Sequence, residues 1–236
     1  DNCESLGAVL HQKQTGTFGL AGTYSFYFSH HISTMEGGMV VTDSIEIQQL
    51  LISLRAHGWT RGLPVENHVY PLSENPWEDL FRFVLPGFNL RPLELSGAIG
   101  RVQLAKLDDI IVQRRANARV FQEIFHNSEK FQIQAENDQS SWFGFSLVLR
   151  GPYMGSRAKL IHHLESRGIE TRPIVAGNFL RNPVLKHLDF TATDSFEIAN
   201  KVHDEGFFVG NHHFDISGSI ERLFMETEDF FSKEAF

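Results

Sequence analysis

Apolar residues recur three and four apart over residues 44–56, at Ile45, Ile47, Leu50, Leu51 and Leu54. That spacing places them on one face of a helix. Asp43-Ser44 precedes them, and such side chains accept hydrogen bonds from the free N–H groups of a first turn. The same period continues over residues 93–107 and 108–125, through Ile110, Ile111, Arg114, Ala118, Phe121 and Phe125. It predicts a long helical region packed against a core. Residues 142–149 carry the aromatic and β-branched residues of a strand. Residues 156–167 predict a helix closed by Gly168, residues 169–171 a short strand, residues 194–204 a helix and residues 207–209 another strand. This alternation predicts an α/β fold class, with a small α/β domain following a boundary near residue 100.

The earlier part of the chain is less periodic. Residues 1–7 are expected to hold the end of a strand and its turn, and residues 15–20 a Gly-rich turn. Ser25-Phe26-Tyr27-Phe28 predicts a short apolar strand. A loop with Ser29-His30-His31 follows, then Gly37-Gly38 and a second apolar strand at residues 39–42. Paired glycines admit φ > 0 and close approach, so the loop is held between rigid supports. Imidazole gains and loses a proton near neutral pH, which makes His30 and His31 candidates for acid–base work. On loop spacing His30 is preferred. Residues 61–79 contain Pro64, Pro71 and Pro76 and predict a long surface loop, a kind of segment that usually has a role.

At 236 residues the chain makes one large domain or two small ones. Its net charge of -8 and lack of a Lys/Arg cluster argue against nucleic acid as a partner. No stretch approaches the ~20 apolar residues of a membrane span, so no membrane is expected. Cys3 is the one cysteine, which fits a reducing cytoplasm. His212-His213 has no third ligand at a suitable spacing, so no metal is expected.

The His30 stretch also carries a resemblance. Ser25-Phe26, three residues, position 30 and then Glu36-Gly37-Gly38 are similar to the cofactor-lysine loop of the sugar aminotransferases of the DegT-type family. Those enzymes use pyridoxal phosphate. In this chain His30 stands at the lysine position, a replacement that marks a branch of sugar 3-dehydratases. The likeness extends through Asp1-Asn2-Cys3-Glu4-Ser5, Arg55-Ala56-His57-Gly58-Trp59-Thr60, Leu85-Pro86-Gly87-Phe88-Asn89-Leu90-Arg91-Pro92, Ser141-Trp142-Phe143-Gly144-Phe145, Arg172-Pro173-Ile174-Val175, Gly177-Asn178-Phe179-Leu180 and Val209-Gly210-Asn211-His212. Each block alone is weak; in order they make a specific match over nearly the whole chain.

The resemblance implies the PLP-dependent transferase fold type I. Residues 1–100 would be the C-terminal part of a large domain and residues 101–236 a small C-terminal domain, with further residues upstream. It implies pyridoxal 5'-phosphate and pyridoxamine 5'-phosphate as cofactors, a nucleotide sugar and L-glutamate/2-oxoglutarate as partners, and a homodimer with shared active sites. The implied activity is removal of the 3-hydroxyl from a nucleotide-linked 4-keto-6-deoxy sugar, on the way to a dideoxysugar. His30 would be the catalytic base. Asp1 would pair with the pyridine nitrogen, Ser25 would hold the phosphate, and Asn89 would reach the partner's phosphate. Glu4 would lie near the cofactor, where relatives usually carry Gln or His. His57, Arg91, Arg172 and Asn178 would bind substrate, with Arg181 on the same loop as the last two. His57 has an equal structural reading, a histidine at a helix C-terminus favoured by the dipole; Arg91 has one as half of an ion pair.

One relative of this branch carries an iron–sulfur cluster, which needs about four thiolates. Cys3 matches one of those positions and nothing matches the rest, so no cluster and no iron–sulfur reductase are expected. Two rival readings remain. A sugar 4-aminotransferase requires lysine at position 30, and no lysine lies between Lys13 and Lys106. A non-catalytic nucleotide-sugar binder predicts loss of site residues, whereas Asp1, Ser25, His30 and Asn89 are all present.

Overall fold

The structure is a computed structural model that describes residues 1–193 and 195–233. The chain divides into two compact units, Asp1–Asp108 and Asp109–Phe236.

The first unit opens with turns rather than the expected strand end. Asn2 N–H donates to Thr23 O at 2.9 Å, and Asp1 Oδ1 accepts from Cys3 N at 3.1 Å. The Asn2–Thr23 bond ties this segment to its neighbour, and no strand is assigned to it. Strands β1 (Val9–Leu10) and β2 (Lys13–Gln14) form a minimal antiparallel pair. The turn after β2 is held by Tyr24, whose hydroxyl donates to Thr15 O at 2.6 Å.

Strand β3 (Gly22–Ser25) pairs antiparallel with β4 (Gly38–Val41), with Ser25 opposite Gly38. The predicted strand at residues 25–28 is thus displaced toward the N-terminus. Its cause is local: Ser25 Oγ accepts from Tyr27 N, and Thr34 N donates to Phe26 O at 2.8 Å, so residues 26–34 close into a loop.

Helix α1 (Ile45–Leu54) begins at the N-cap Ser44, whose hydroxyl accepts from Ile47 N at 3.3 Å. Its buried side chains are Gln49 and Ser53, not the apolar stripe, and Ile45 is exposed. Gln49 Oε1 accepts from His68 N at 2.8 Å and so fastens the 61–79 loop to the helix. That loop ends in the short helix α2 (Pro76–Asp79), started by Asn75 and by proline at its first position.

Beyond α2 the backbone runs extended against the loop after α1. Single bridges join Ala56 to Asn89 and Trp59 to Phe83. The crossing is close enough to require glycine. A Cβ on Gly58, at φ 77°, would lie 1.7 Å from Leu85 O, and one on Gly87 would lie 2.0 Å from Gly58 N. Trp59 stacks on Phe83 at 5.5 Å, and its indole N–H donates to Leu80 O.

The long helical region is two helices, α3 (Glu94–Leu104) and α4 (Leu107–Phe125), with the break at Ala105 and Lys106. Every residue of the predicted stripe on α4 is buried: Ile110, Ile111, Arg114, Ala118, Phe121 and Phe125.

The second unit is built on an antiparallel sheet of order β5 (Phe131–Ile133), β6 (Gly144–Leu149) and β7 (Gly206–Gly210). Phe145 faces Val209 and Ile133 faces Leu147 in register. Helix α5 (Arg157–Ser166) closes at Gly168, φ 73°: Gly168 N–H reaches Glu165 O and Ile169 N–H reaches Leu164 O, both at 2.9 Å. This is the Schellman pattern, which needs a left-handed residue at Gly168's place.

The predicted strand at residues 169–171 does not form. Ile169 is engaged in the helix cap and Pro173 lacks an N–H, so one residue, Arg172, pairs with Phe208. The predicted helix start at Asp194 lies outside the described residues; helix α6 spans Glu197–Glu205. Helix α7 (Ser217–Lys233) completes the unit. The core is aromatic and aliphatic: Phe121 and Phe145 stack at 4.4 Å, Phe131 meets Phe207 and Phe231 edge-on, and Leu160 and Leu164 seal the α5 side.

Candidate active site

The His30 loop is built from short-range bonds. His30 N donates to Tyr27 O at 3.0 Å, and Phe26 N to Gly37 O at 2.9 Å. Thr34 Oγ1 donates to Glu36 O at 2.8 Å and sits 2.6 Å from where a Cβ on Gly37 would lie. Only glycine at φ 151° lets the loop close there. This frame separates the two histidines. His31 is buried, at 4% exposure. His30 keeps 12% of its side chain exposed and brings Nε2 to 4.0 Å from Glu4 Oε1.

Glu4 arrives there because its segment is bonded to β3 through Asn2 and Thr23. The same segment carries Asp1, which is exposed, with one carboxylate oxygen on Cys3 N. Ser25 ends β3 and accepts from Tyr27 N at 3.2 Å, so its own O–H is available to donate. Two carboxylates, a hydroxyl and an imidazole are therefore carried by one hairpin and the segment fastened to it.

His57, Asn89 and Arg91 belong to the glycine-tight crossing. His57 takes φ 64°, a conformation that only tertiary constraint holds in a non-glycine residue, and its N–H donates to Phe88 O at 2.7 Å. Asn89 bridges Ala56 through the backbone and leaves its side chain exposed; Arg91 is also exposed.

The other predicted residues lie in the second unit. Arg172 is exposed and paired with Glu170 at 2.5 Å. Asn178 is buried, and both ends of its amide are occupied: Oδ1 accepts from Leu180 N at 3.0 Å and Nδ2 donates to Asn200 Oδ1 at 2.8 Å. Arg181 meets Asp204 at 2.6 Å. Burial, with His213 and Arg114 nearby, holds the His212 imidazole below its ordinary range. Arg114 is itself pushed down to about 10 by burial; its guanidinium donates to Trp142 O and Phe143 O.

Sequence reading missed several polar anchors. Asn117 donates to Asn211, His212 O and Phe214 O, pinning the loop after β7. Asn200 and His203 hold the 172–182 loop. Asn117 sits on the buried face of α4, and a polar residue inside an apolar stripe was the available signal. His163, Glu226 and Asp229 converge within 4.8 Å, but Arg167 and Lys233 already neutralise these carboxylates.

Over 226 residues the chain is 52% identical to the GDP-4-keto-6-deoxy-D-mannose 3-dehydratase of Yersinia pseudotuberculosis, covering 95% of this chain and 58% of that relative. It superposes with a TM-score of 0.92 and 48% identity on the Escherichia coli GDP-4-keto-6-deoxy-D-mannose-3-dehydratase with bound hydrated PLP, covering 96% of this chain and 59% of that one. A second structure of a GDP-4-keto-6-deoxymannose-3-dehydratase, with a trapped PLP-glutamate geminal diamine, matches with a TM-score of 0.92 and 48% identity, over 95% of this chain and 59% of that one. The chain thus spans less than two thirds of each of these relatives. Its α/β architecture is that of the fold type I PLP-dependent transferases. Residues 1–215 match the model of the DegT/DnrJ/EryC1/StrS aminotransferase family, and the chain belongs to that family.

Proposed function

We propose that the full-length protein removes the 3-hydroxyl of GDP-4-keto-6-deoxy-D-mannose, using L-glutamate as amino donor. The products are a nucleotide-linked 4-keto-3,6-dideoxy sugar, 2-oxoglutarate and ammonia. Atoms and electrons balance: glutamate becomes the keto acid and supplies the two electrons that the deoxygenated carbon gains. The observation that supports the reading is the imidazole of His30, 4.0 Å from Glu4, on a loop whose motif resembles the family's lysine loop.

The donor set fits a pyridoxal 5'-phosphate cofactor that alternates with its pyridoxamine form. Asp1 is the carboxylate for the ring nitrogen, and Ser25 the hydroxyl for the phosphate. Asn89 is the contact to the phosphate in the partner's site. When bound, the cofactor supplies an electron sink for the reacting carbons. The chain's own residues do the rest. An imidazole cannot hold the cofactor covalently; His30 would instead act as general base on the methylene proton. Glu4 stands 4.0 Å from its Nε2. In the second unit Arg172 offers a planar fork suited to a nucleotide's phosphates; in the first, His57 and Arg91 are the candidates for sugar contacts. We assign the protein to the cytoplasm and its working form to a homodimer with shared sites. In support, many apolar side chains of the first unit, Phe28, Met39, Val40 and Leu90 among them, are exposed. No helix among the described residues is long and apolar enough to cross a membrane.

Full-length protein with pyridoxal phosphate and glutamate is expected to release 2-oxoglutarate. With GDP-4-keto-6-deoxymannose it is expected to yield the 3-deoxy product, identified by mass and NMR. An aminated sugar in its place overturns the reading. His30→Lys is expected to create an adduct trapped by borohydride, absent from the wild type.

A further inference from the structure

We infer that Asn200 and His203 on α6 are positioning residues for the 172–182 loop, and that Asn178 acts through them rather than on substrate. The inference rests on the proposed reading that this loop, through Arg172, binds the nucleotide sugar.

Asn200, His203 and Asp204 lie three and four residues apart, so they share one face of α6. Two of them hold Asn178, by its side chain and its backbone, and the third holds Arg181. Asn200 accepts from the Asn178 amide at 2.8 Å, and His203 Nδ1 accepts from Asn178 N–H at 3.3 Å. Asp204 pairs with Arg181. Gly177 lies so near that a Cβ there would sit 2.7 Å from His203 Nδ1. The clamp matters because the loop borders an open pocket of about 330 Å³, lined by Arg157, Arg172, Ile174, Gly177, Val202 and His203.

The loop also carries strain. Val175 takes φ 45°, which a β-branched residue rarely adopts, and is 81% exposed. Burial of its side chain does not compensate that conformation, so the bonds on either side of it must. These are Arg172 with Phe208, Gly177 N with Ile174 O, and the Asn178 clamp. Asn178 is 6% exposed and spends Oδ1 on Leu180 N and an Nδ2–H on Asn200 Oδ1, so its amide is committed to holding the loop.

The test is kinetic, on full-length protein with pyridoxal phosphate, glutamate and GDP-4-keto-6-deoxymannose. Asn200→Leu and His203→Leu are expected to raise KM for the sugar nucleotide about tenfold, with kcat changed less. Asn200→Asp and His203→Asn keep an acceptor and are expected to remain within about twofold of wild type. Should the leucine variants fail to fold, Asn178→Ala, Asn200→Ala and their double variant carry the test. Fold-losses that do not multiply support the clamp, and losses that multiply overturn it. Unchanged KM in the leucine variants, or equal impairment in the conservative ones, also overturns it. If the wild type does not turn over this sugar, the functional reading fails by itself. Hydrogen exchange at the Asn178 and Leu180 amides then still decides: faster exchange in Asn200→Leu supports the clamp, and unchanged exchange overturns it.

Discussion

The two units hold their shape by different means. The second packs aromatic and aliphatic side chains from α4, α5, α7 and its sheet into one core. The first buries few large apolar side chains, chiefly Tyr24, Ile32, Trp59 and Leu63, and exposes many others. What fixes it is backbone geometry: the Gly58–Gly87 crossing, the His30 loop and the caps of its helices. The residues proposed for chemistry sit mostly on this second kind of scaffold. Loops held by backbone bonds present side chains outward, whereas a core consumes them.

That contrast has measurable consequences. The largest belongs to the packed core. Phe121→Ala removes a fully buried ring stacked on Phe145, and is expected to cost about 3–5 kcal/mol in urea denaturation. A loss below ~1 kcal/mol would break the comparison.

Next come glycines. Gly58→Ala forces a Cβ into Leu85 O and is expected to cost about 3 kcal/mol or more. Gly155→Ala in the second unit, at φ 84° with open space around it, is expected to cost only the left-handed penalty, about 1 kcal/mol. Equal losses would mean that the crossing is looser than described.

Ser44→Ala removes the cap of α1 and is expected to cost about 1 kcal/mol.

The smallest effect is on pH dependence. His212 is held below its ordinary value of 6.5 by burial, His213 and Arg114, so the folded protein binds fewer protons there than the unfolded chain. Its contribution is present above that value and is lost as pH falls from it toward the lower folded value. Thermal melts at pH 7.5 and 5.5 are expected to show a smaller acid-induced drop in His212→Gln than in wild type.

Legibility followed the same division. The stripe on α4 was readable because burial there is a matter of period, and all its members are inside. The pattern Ile220, Leu223, Phe230, Phe231 on α7 was equally readable, although no helix was assigned to it. In the first unit periodicity misled: α1 is a helix, yet Gln49 and Ser53 are its buried side chains, because a loop bond rather than a core covers that face. Strand positions slipped where side-chain bonds decided the ending, at Ser25, and where a cap and a proline left room for one pair, at Arg172. His30 stood out by its place in a motif, but Glu4 as its neighbour depends on the Asn2–Thr23 bond, which no local pattern announces. The α6 clamp is likewise made of polar residues far from their targets in sequence, without a spacing rule of its own.

The glycine crossing joins two stretches on either side of the 61–79 loop. Chain between two fixed points can lengthen cheaply, since each doubling of a flexible loop adds only about 0.6 kcal/mol of closure entropy. Insertions and substitutions in that loop can therefore accumulate in descendants of this sequence without unseating His57 or Asn89. Selection is left a variable rim around an anchored pair, at little risk to folding.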